Sequence, residues 1–130
     1  MQLKPSNFLL IAAVLGAIAV AFGALGAHSL EETLTAKQLQ DWATAVRYQM
    51  WHSLLLVALA TGPLFKTAPG QRIGLLFILG VIFFSGSIYL LTAGLSFLWP
   101  VTPVGGLLLV TGWVLLAVWA WRNKQFFNEK

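Results

Sequence analysis

Cysteine is absent from this 130-residue chain, so disulfide bonds, thiolate nucleophiles and thiolate metal sites are excluded. Charge is scarce as well, because 9% of the residues are charged and four are acidic. The sequence contains no glycine-rich phosphate loop, nucleophile elbow, zinc-protease helix or dinucleotide-binding fingerprint. With no paired carboxylates and no nucleophile beside a base, we expect a protein that is not an enzyme and that holds no cofactor or metal.

The chain has long apolar segments instead. Hydrophobic residues make up 58% of it, and the mean hydropathy is +0.81. Each of four segments holds about 18 or more residues, enough for a helix to cross ~30 Å of hydrocarbon. They are residues 6–27, 43–62, 73–98 and 104–121. The first is longer than the apolar core of a signal peptide, so we expect it to be retained. The sequence predicts an all-α membrane protein, a four-transmembrane-helix bundle forming one integral domain over residues 1–130.

The basic residues predict the orientation of this bundle. With four spans, the two termini and the loop after the second span share one side of the membrane. That side holds six of the eight basic residues, namely Lys4, Lys66, Arg72, Arg122, Lys124 and Lys130. The positive-inside rule then places both termini in the cytoplasm and the chain in the plasma membrane. Basic residues divided between helix ends form no continuous stripe, so we expect no nucleic-acid partner.

The connections at the outer side carry two local signals. Residues 28–41 have the spacing of a short amphipathic helix lying at the interface between the first two spans and running into the second. At the other outer connection, Thr102 has the position of a helix cap, followed by Pro103 in the first turn of the fourth helix.

The segment "AVRYQMWHSLLL" (45–56) places hydrogen-bonding side chains within a membrane span. The purely apolar part, residues 50–62, would rise ~20 Å, which is too short to cross, so the span must include these side chains. Arg47 is then expected just below the outer headgroups and His52 deeper. At 100° per residue, one helix face carries Asp41, Thr44, Tyr48 and His52.

Polar residues of the other spans lie toward the same end. Ser85, Tyr89 and Thr92 recur along one face of the third segment, and His28 ends the first. We therefore predict a polar cluster in the outer half of the bundle. Its candidate members are His28, Arg47, Tyr48, Gln49, His52, Ser87, Tyr89 and Thr102.

The same residues leave several interpretations open. Arg47 either extends to headgroup phosphates or pairs with Asp41 or Glu32. The other polar side chains are either hydrogen bonds between helices, worth about 0.6 kcal/mol a pair, or a ligand site. The leading hypothesis is a small non-enzymatic scaffold or helper that contacts membrane lipids and either a membrane-protein partner or further copies of itself. The alternatives are a channel or carrier for a small solute or protons, and a haem or quinone site using His28 and His52.

Four sequence blocks also resemble a known family in their order. They are "AFGALGAHSL" (21–30), "WATAVRYQMWHSL" (42–54), "FSGSIYLL" (84–91) and "VTPVGGLLLVTGW" (101–113). Together they are similar to the signature blocks of the domain of unknown function 423 family, the YgdD-like small four-span inner-membrane proteins, with Leu25 in place of the family's phenylalanine. The resemblance implies a bacterial-type plasma-membrane protein with no established activity. It also implies that His28, Tyr48, Gln49, His52, Ser87, Tyr89, Thr102 and Pro103 occupy motif positions.

Overall fold

The computed structural model describes residues 4–125, and its regular structure is entirely helical. The four long helices are α1 (Pro5–His28), α2 (Ala36–Thr61), α3 (Ala68–Thr92) and α4 (Val101–Arg122). Two short 3-10 turns, Pro63–Lys66 and Ser96–Leu98, lie in the connections. Helix α1 packs on α2, α2 on α3, and α3 on α4. The prediction of an all-helical fold is confirmed for the described residues.

Three of these helices have the length and composition of membrane spans. They are α1, α3 and the segment Ser96–Arg122 that contains α4. Helix α2 is long enough, since its 26 residues rise about 39 Å. Its polar residues, among them Arg47, Gln49 and His52, lower its hydropathy, however, and α2 is not among the candidate spans. The crossing of α2 and the cytoplasmic side of the termini remain predictions.

Helix α2 begins earlier than its apolar residues indicate. The Thr35 hydroxyl accepts from the Gln38 backbone N–H at 3.2 Å, and the Gln38 amide oxygen accepts from the Thr35 N–H at 2.9 Å. This reciprocal cap starts the helix at Ala36, and neither proline nor glycine interrupts it before Thr61. The short amphipathic segment expected at the interface does run into the second span, and from Ala36 onward it is the first part of α2.

The third long helix differs from its predicted bounds of 73–98. It starts at Ala68 and ends at Thr92, and Gly94 then turns the chain with a φ of 98°. The expected end at residue 98 was wrong because Leu95, Phe97 and Leu98 prolong the hydropathy signal beyond the helix. A left-handed backbone conformation of this kind is readily adopted by glycine.

Helices α3 and α4 run antiparallel and approach closely at three glycines. An added Cβ at Gly112 would lie 2.8 Å from the Phe77 ring, and one at Gly80 or Gly105 would meet Leu109 or the Phe84 backbone. From one contact to the next, the residue number increases by three and then four along α3 and decreases by the same amounts along α4. The three contacts therefore define one continuous register, with the pairs Phe77–Gly112, Gly80–Leu109 and Phe84–Gly105.

The apolar core lies toward the end of the molecule that contains the start of α1 and the α2–α3 connection. Phe8, Phe65 and Phe77 are completely buried there, and the Phe8 and Phe65 ring centroids are 4.6 Å apart. The buried polar side chains lie along the helices toward the opposite end, where the α1–α2 and α3–α4 connections meet. The fold thus separates an aromatic core from the buried polar side chains, which together form a polar network.

Candidate functional site

Gln49 of α2 lies at the centre of the polar network. Its side chain is 3% exposed. The amide nitrogen donates to the Leu15 carbonyl of α1 at 2.7 Å, and the amide oxygen accepts from the Tyr89 hydroxyl of α3 at 2.9 Å. A single side chain therefore connects three helices.

Trp42 makes a second connection from α2 to α1. Its indole N–H donates to the Phe22 carbonyl at 2.7 Å. The indole fits against α1 because Gly26 has no side chain there, and an added Cβ would lie 2.8 Å from Trp42 Cδ1. Trp42 precedes Gln49 by seven residues, the spacing that also separates their acceptors on α1. Two donors, two helical turns apart, thus fix the register of the antiparallel α1–α2 pair.

The Tyr89 ring is enclosed by aromatic neighbours. Its centroid lies 4.7 Å from that of Phe22, edge-on, and 4.6 Å from that of Trp42. These contacts hold the phenol between α1 and α2, in the position from which its hydroxyl reaches Gln49. Edge-on and tilted aromatic pairs of this kind are favourable beyond the area that they bury.

His52 connects α2 to α4. The ring is 4% exposed; Nδ1 lies 2.7 Å from the Tyr48 carbonyl, and Nε2 lies 3.1 Å from Nε1 of Trp113. The Trp113 indole can only donate, so His52 Nε2 carries a lone pair and Nδ1 carries the proton given to Tyr48. Both ring nitrogens are therefore engaged, in one neutral tautomer.

Ser85 connects α3 to α2 where α3 changes its winding. Residues Ile82–Gly86 form a π-helical turn, and the Ser85 hydroxyl in this turn donates to the Ala45 carbonyl at 2.8 Å. The Ser85 side chain is 1% exposed. A π turn rotates the following residues relative to a regular helix, and in α3 the altered segment provides this contact.

Ser87 and Thr102 connect α3 to α4, with their hydroxyl oxygens 2.6 Å apart. Ser87 donates its proton to the Phe84 carbonyl at 3.0 Å, so Thr102 is the donor within the pair. Thr102 lies inside α4, which starts at Val101, and its side chain caps no helix. The expected capping role is thus replaced by a contact between helices.

Arg47 lies outside this network. Its side chain is exposed and donates only within its own helix, from Nε to the Ala43 carbonyl at 3.3 Å and from Nη2 to Thr44 Oγ1 at 3.4 Å. The pairing with Asp41 that was one expectation is not formed, because Asp41 accepts from Lys37 at 3.1 Å. Nor does Glu32 pair with Arg47.

Tyr48 and His28 also lie apart from the buried cluster. Tyr48 is 36% exposed, and its ring packs beside Phe84 at 4.8 Å while its carbonyl holds His52. His28 is exposed at the end of α1 and has no side-chain hydrogen bond to another residue of 4–125. The sequence placed both in one cluster because their depths were inferred without the direction of the side chains.

The separation of His28 and His52 excludes a shared ligand within one chain. Phe22 of α1 and Trp42 of α2 lie at the same height along the helix axes. His28 is six residues beyond Phe22 on α1, and His52 is ten residues beyond Trp42 on α2, which runs in the opposite direction. At 1.5 Å per residue the histidines are about 24 Å apart along the helices. Axial ligation of one haem by both is therefore impossible in this fold, which corrects the earlier expectation that they could pair.

The network leaves no buried polar side-chain atom without a partner within the described part of the chain. Its hydrogen bonds join neighbouring helices to one another, as interhelical polar contacts do. Sequence reasoning missed Trp42 and Trp113 as members. The seven-residue spacing of Trp42 and Gln49 was a usable signal, whereas the donation from Trp113 to His52 had none, because it joins residues 61 positions apart.

A cleft remains open on the surface of the molecule between α2 and α4. Its middle part is a cavity of about 590 Å³, beside which the side chains of Trp51 and Trp113 are 57% and 49% exposed. A second cavity of about 530 Å³ continues toward the α3–α4 connection and is bordered by Asp41 and Trp99. This cleft adjoins the network at His52 and Trp113.

Comparison with known proteins gives consistent matches. The family model described as "Protein of unknown function (DUF423)" matches residues 22–106. The chain is 40% identical over 129 residues to the UPF0382 inner membrane protein YgdD of Escherichia coli K12, covering 92% of this chain and 94% of that protein. It is 36% identical over 114 residues to the UPF0382 membrane protein YwdK of Bacillus subtilis 168, covering 85% and 93% respectively. No solved structure matches the chain.

Proposed function

Because the chain belongs to the DUF423 family of membrane proteins, whose function is unknown, we propose that it is a non-enzymatic scaffold or helper in the plasma membrane. In this role, four membrane spans form a rigid unit that contacts another membrane protein. The observation that carries the proposal is the complete hydrogen bonding of the Gln49 and His52 side chains. Every nitrogen and oxygen of these two side chains is bonded to another part of the chain.

The same complete hydrogen bonding supports the passage of α2 across the membrane. Unpaired polar groups are costly in hydrocarbon, whereas paired ones fix neighbouring helices to one another. Gln49, Ser53 and His52 are buried and hydrogen-bonded, so the C-terminal half of α2 presents mainly apolar side chains on its outer surface. The basic residues near both termini support a cytoplasmic location of those ends.

The surface best suited to a partner is the cleft between α2 and α4. Its rim carries the exposed rings of Tyr48, Trp51 and Trp113. Large aromatic side chains are enriched where proteins bind one another, because they provide contact area at a low cost in conformational entropy. A partner helix packed along this rim would bury them.

The alternative functions gain no such support. In a channel or carrier, Arg47 and the histidines would line one common path, but Arg47 lies on the surface between α1 and α2, and His52 is enclosed among α2, α3 and α4. A haem held by both histidines is incompatible with their separation. A quinone would have to displace a bond that His52 already makes.

Photocrosslinking in the native membrane tests the scaffold role. A photoreactive phenylalanine replaces Trp51 at the cleft or, as a control, Val20, which is 64% exposed on α1. We expect a discrete crosslinked product, with a second protein or a second copy of the chain, from position 51 and none from position 20. Adding Gln49→Leu, which removes the hydrogen bonds from α2 to α1 and α3, should reduce the yield. Equal labelling at both positions, unchanged by Gln49→Leu, contradicts the proposal.

A further inference from the structure

A separate cavity of about 410 Å³ lies between the first turns of α3 and the last turns of α4, at the end of the molecule where α1 begins and α4 ends. It is distinct from the polar network and from the cleft. Its basic members are Arg72 and Arg122, and its apolar walls include Ile73, Leu115 and Val118.

The two arginines approach this cavity from opposite directions. Extending the α3–α4 register from the Phe77–Gly112 contact places Arg122 level with the start of α3, about 7.5 Å nearer the end of the molecule than Arg72. Side chains incline toward the N-terminus of their own helix. Because the helices are antiparallel, Arg72 inclines toward this end of the molecule and Arg122 toward its middle. Both inclinations direct the arginine side chains toward the cavity that they line.

Neither arginine has a compensating charge among the described residues. Within residues 4–125, the one ion pair is Lys37–Asp41, near the opposite end of the molecule. Neither Arg72 nor Arg122 forms a side-chain hydrogen bond to another described residue, so no residue of 4–125 occupies the donors of either guanidinium group. The N-terminus of α3, at Ala68, adds the positive end of a helix dipole beside them.

The cavity also changes polarity along the helices. Arg122 lies in the last turn of α4, whereas Leu115 and Val118 lie one to two turns deeper, beside Ile73. A ligand that fits this gradient has an anionic group at one end and an apolar chain at the other. In a membrane, that description corresponds to a phospholipid with its phosphate at the arginines.

We propose that this cavity binds an anionic glycerophospholipid, whose phosphate is held by Arg72 and Arg122 and whose acyl chain lies along Ile73, Leu115 and Val118. The proposal extends the scaffold function by naming a specific lipid partner. Guanidinium groups suit the task because they bind phosphate oxygens through two parallel hydrogen bonds. Basic pockets between membrane helices bind anionic headgroups in the same way.

Native mass spectrometry of the full chain, titrated with phosphatidylglycerol, tests the proposal. We expect one lipid to remain bound at low concentration, and Kd to rise about threefold in Arg72→Gln or Arg122→Gln and tenfold or more in the double variant. Lys66→Gln is the matched control, since it removes the same charge at the same end of the molecule, outside the cavity. It should change Kd less than twofold. Phosphatidylcholine with the same chains, which has no net charge, should bind at least tenfold more weakly.

Three results would overturn the proposal. In the first, the double variant binds phosphatidylglycerol with a Kd within twofold of the wild type. In the second, Lys66→Gln weakens lipid binding as much as the arginine variants do. In the third, inorganic phosphate displaces the lipid and binds with the same dependence on both arginines. The last result would assign the site to free phosphate. Neither arginine belongs to the polar network, so these variants should retain the unfolding temperature of the wild type. Failure of lipid binding is therefore distinguishable from failure of the scaffold function.

Discussion

Gly105 of α4 lies directly against the backbone of Phe84 in the π turn of α3, with no room for a side chain between them. The neighbouring Gly106 is in a different situation, because an added Cβ would be 3.8 Å from the nearest atom, on the Phe84 ring. Two adjacent glycines of one helix thus have opposite tolerance for the same substitution.

Gly105→Ala should destabilise the protein, and Gly106→Ala should not. At Gly105 the helices must separate, which costs about 2 kcal/mol by the usual effect of overpacking. At Gly106 the change improves helix propensity by up to ~1 kcal/mol. Thermal unfolding in one detergent should show a decrease of roughly 8 °C for the first variant and no decrease for the second. Equal melting temperatures for the two variants would show that α3 and α4 are not in contact at this point.

His52 should exist as a single neutral tautomer with its proton on Nδ1. The Trp113 indole requires a lone pair on Nε2, and the Tyr48 carbonyl requires a proton on Nδ1. In ¹⁵N NMR spectra of histidine-labelled protein at neutral pH, we expect one protonated and one unprotonated nitrogen for His52. Trp113→Phe, which removes the donor and keeps an aromatic ring, should shift the Nε2 resonance most. A protonated Nε2 in the wild type would exclude this arrangement.

The exposed His28 is an internal control in the same spectra. It lacks a side-chain hydrogen bond to another residue of 4–125, so nothing in that part of the chain selects one tautomer. Its two nitrogens should give averaged resonances, and Trp113→Phe should leave them unchanged. A change at His28 equal to that at His52 would indicate a general loss of structure.

Single cysteines should show that α2 crosses the membrane. The chain contains no cysteine, so Thr33→Cys, Lys66→Cys and Ser96→Cys each provide one thiol at an exposed position. A membrane-impermeant maleimide added to intact cells should label positions 33 and 96, and position 66 only after the membrane is opened. If α2 lies on the surface instead, positions 33 and 66 will share one side and react alike.

Hydropathy predicts those parts of the fold that depend on long apolar segments. It gives α1 and α4 within a few residues of Pro5–His28 and Val101–Arg122. It fails at α2, where the Thr35 cap adds polar turns, and at the end of α3, where apolar residues continue past a glycine turn. Helix ends depend on local backbone hydrogen bonds, to which mean hydropathy is insensitive.

The contacts within the network were less accessible to prediction. Tyr89 and Gln49 were both candidates, and the structure joins them directly. The acceptors on α1, however, are the backbone carbonyls of Leu15 and Phe22, and a carbonyl is present at every residue. Which carbonyl is used depends on the register of α1 against α2. That register follows from close packing at Gly26, which composition and periodicity do not specify.

The hydrogen bond between Gln49 and Tyr89 offers the most direct test of the central claim, that the buried polar side chains hold the helices in register. A double-mutant cycle with Gln49→Leu and Tyr89→Phe isolates this bond, because Tyr89→Phe removes only the hydroxyl. The free energy of unfolding is measured in lipid bicelles for both single variants and the double variant. Gln40→Leu with Tyr89→Phe is the control cycle, since Gln40 is exposed. We predict a coupling of about 0.6 kcal/mol or more for Gln49 with Tyr89, and none for Gln40 with Tyr89. A coupling of zero for Gln49 with Tyr89 would contradict the account.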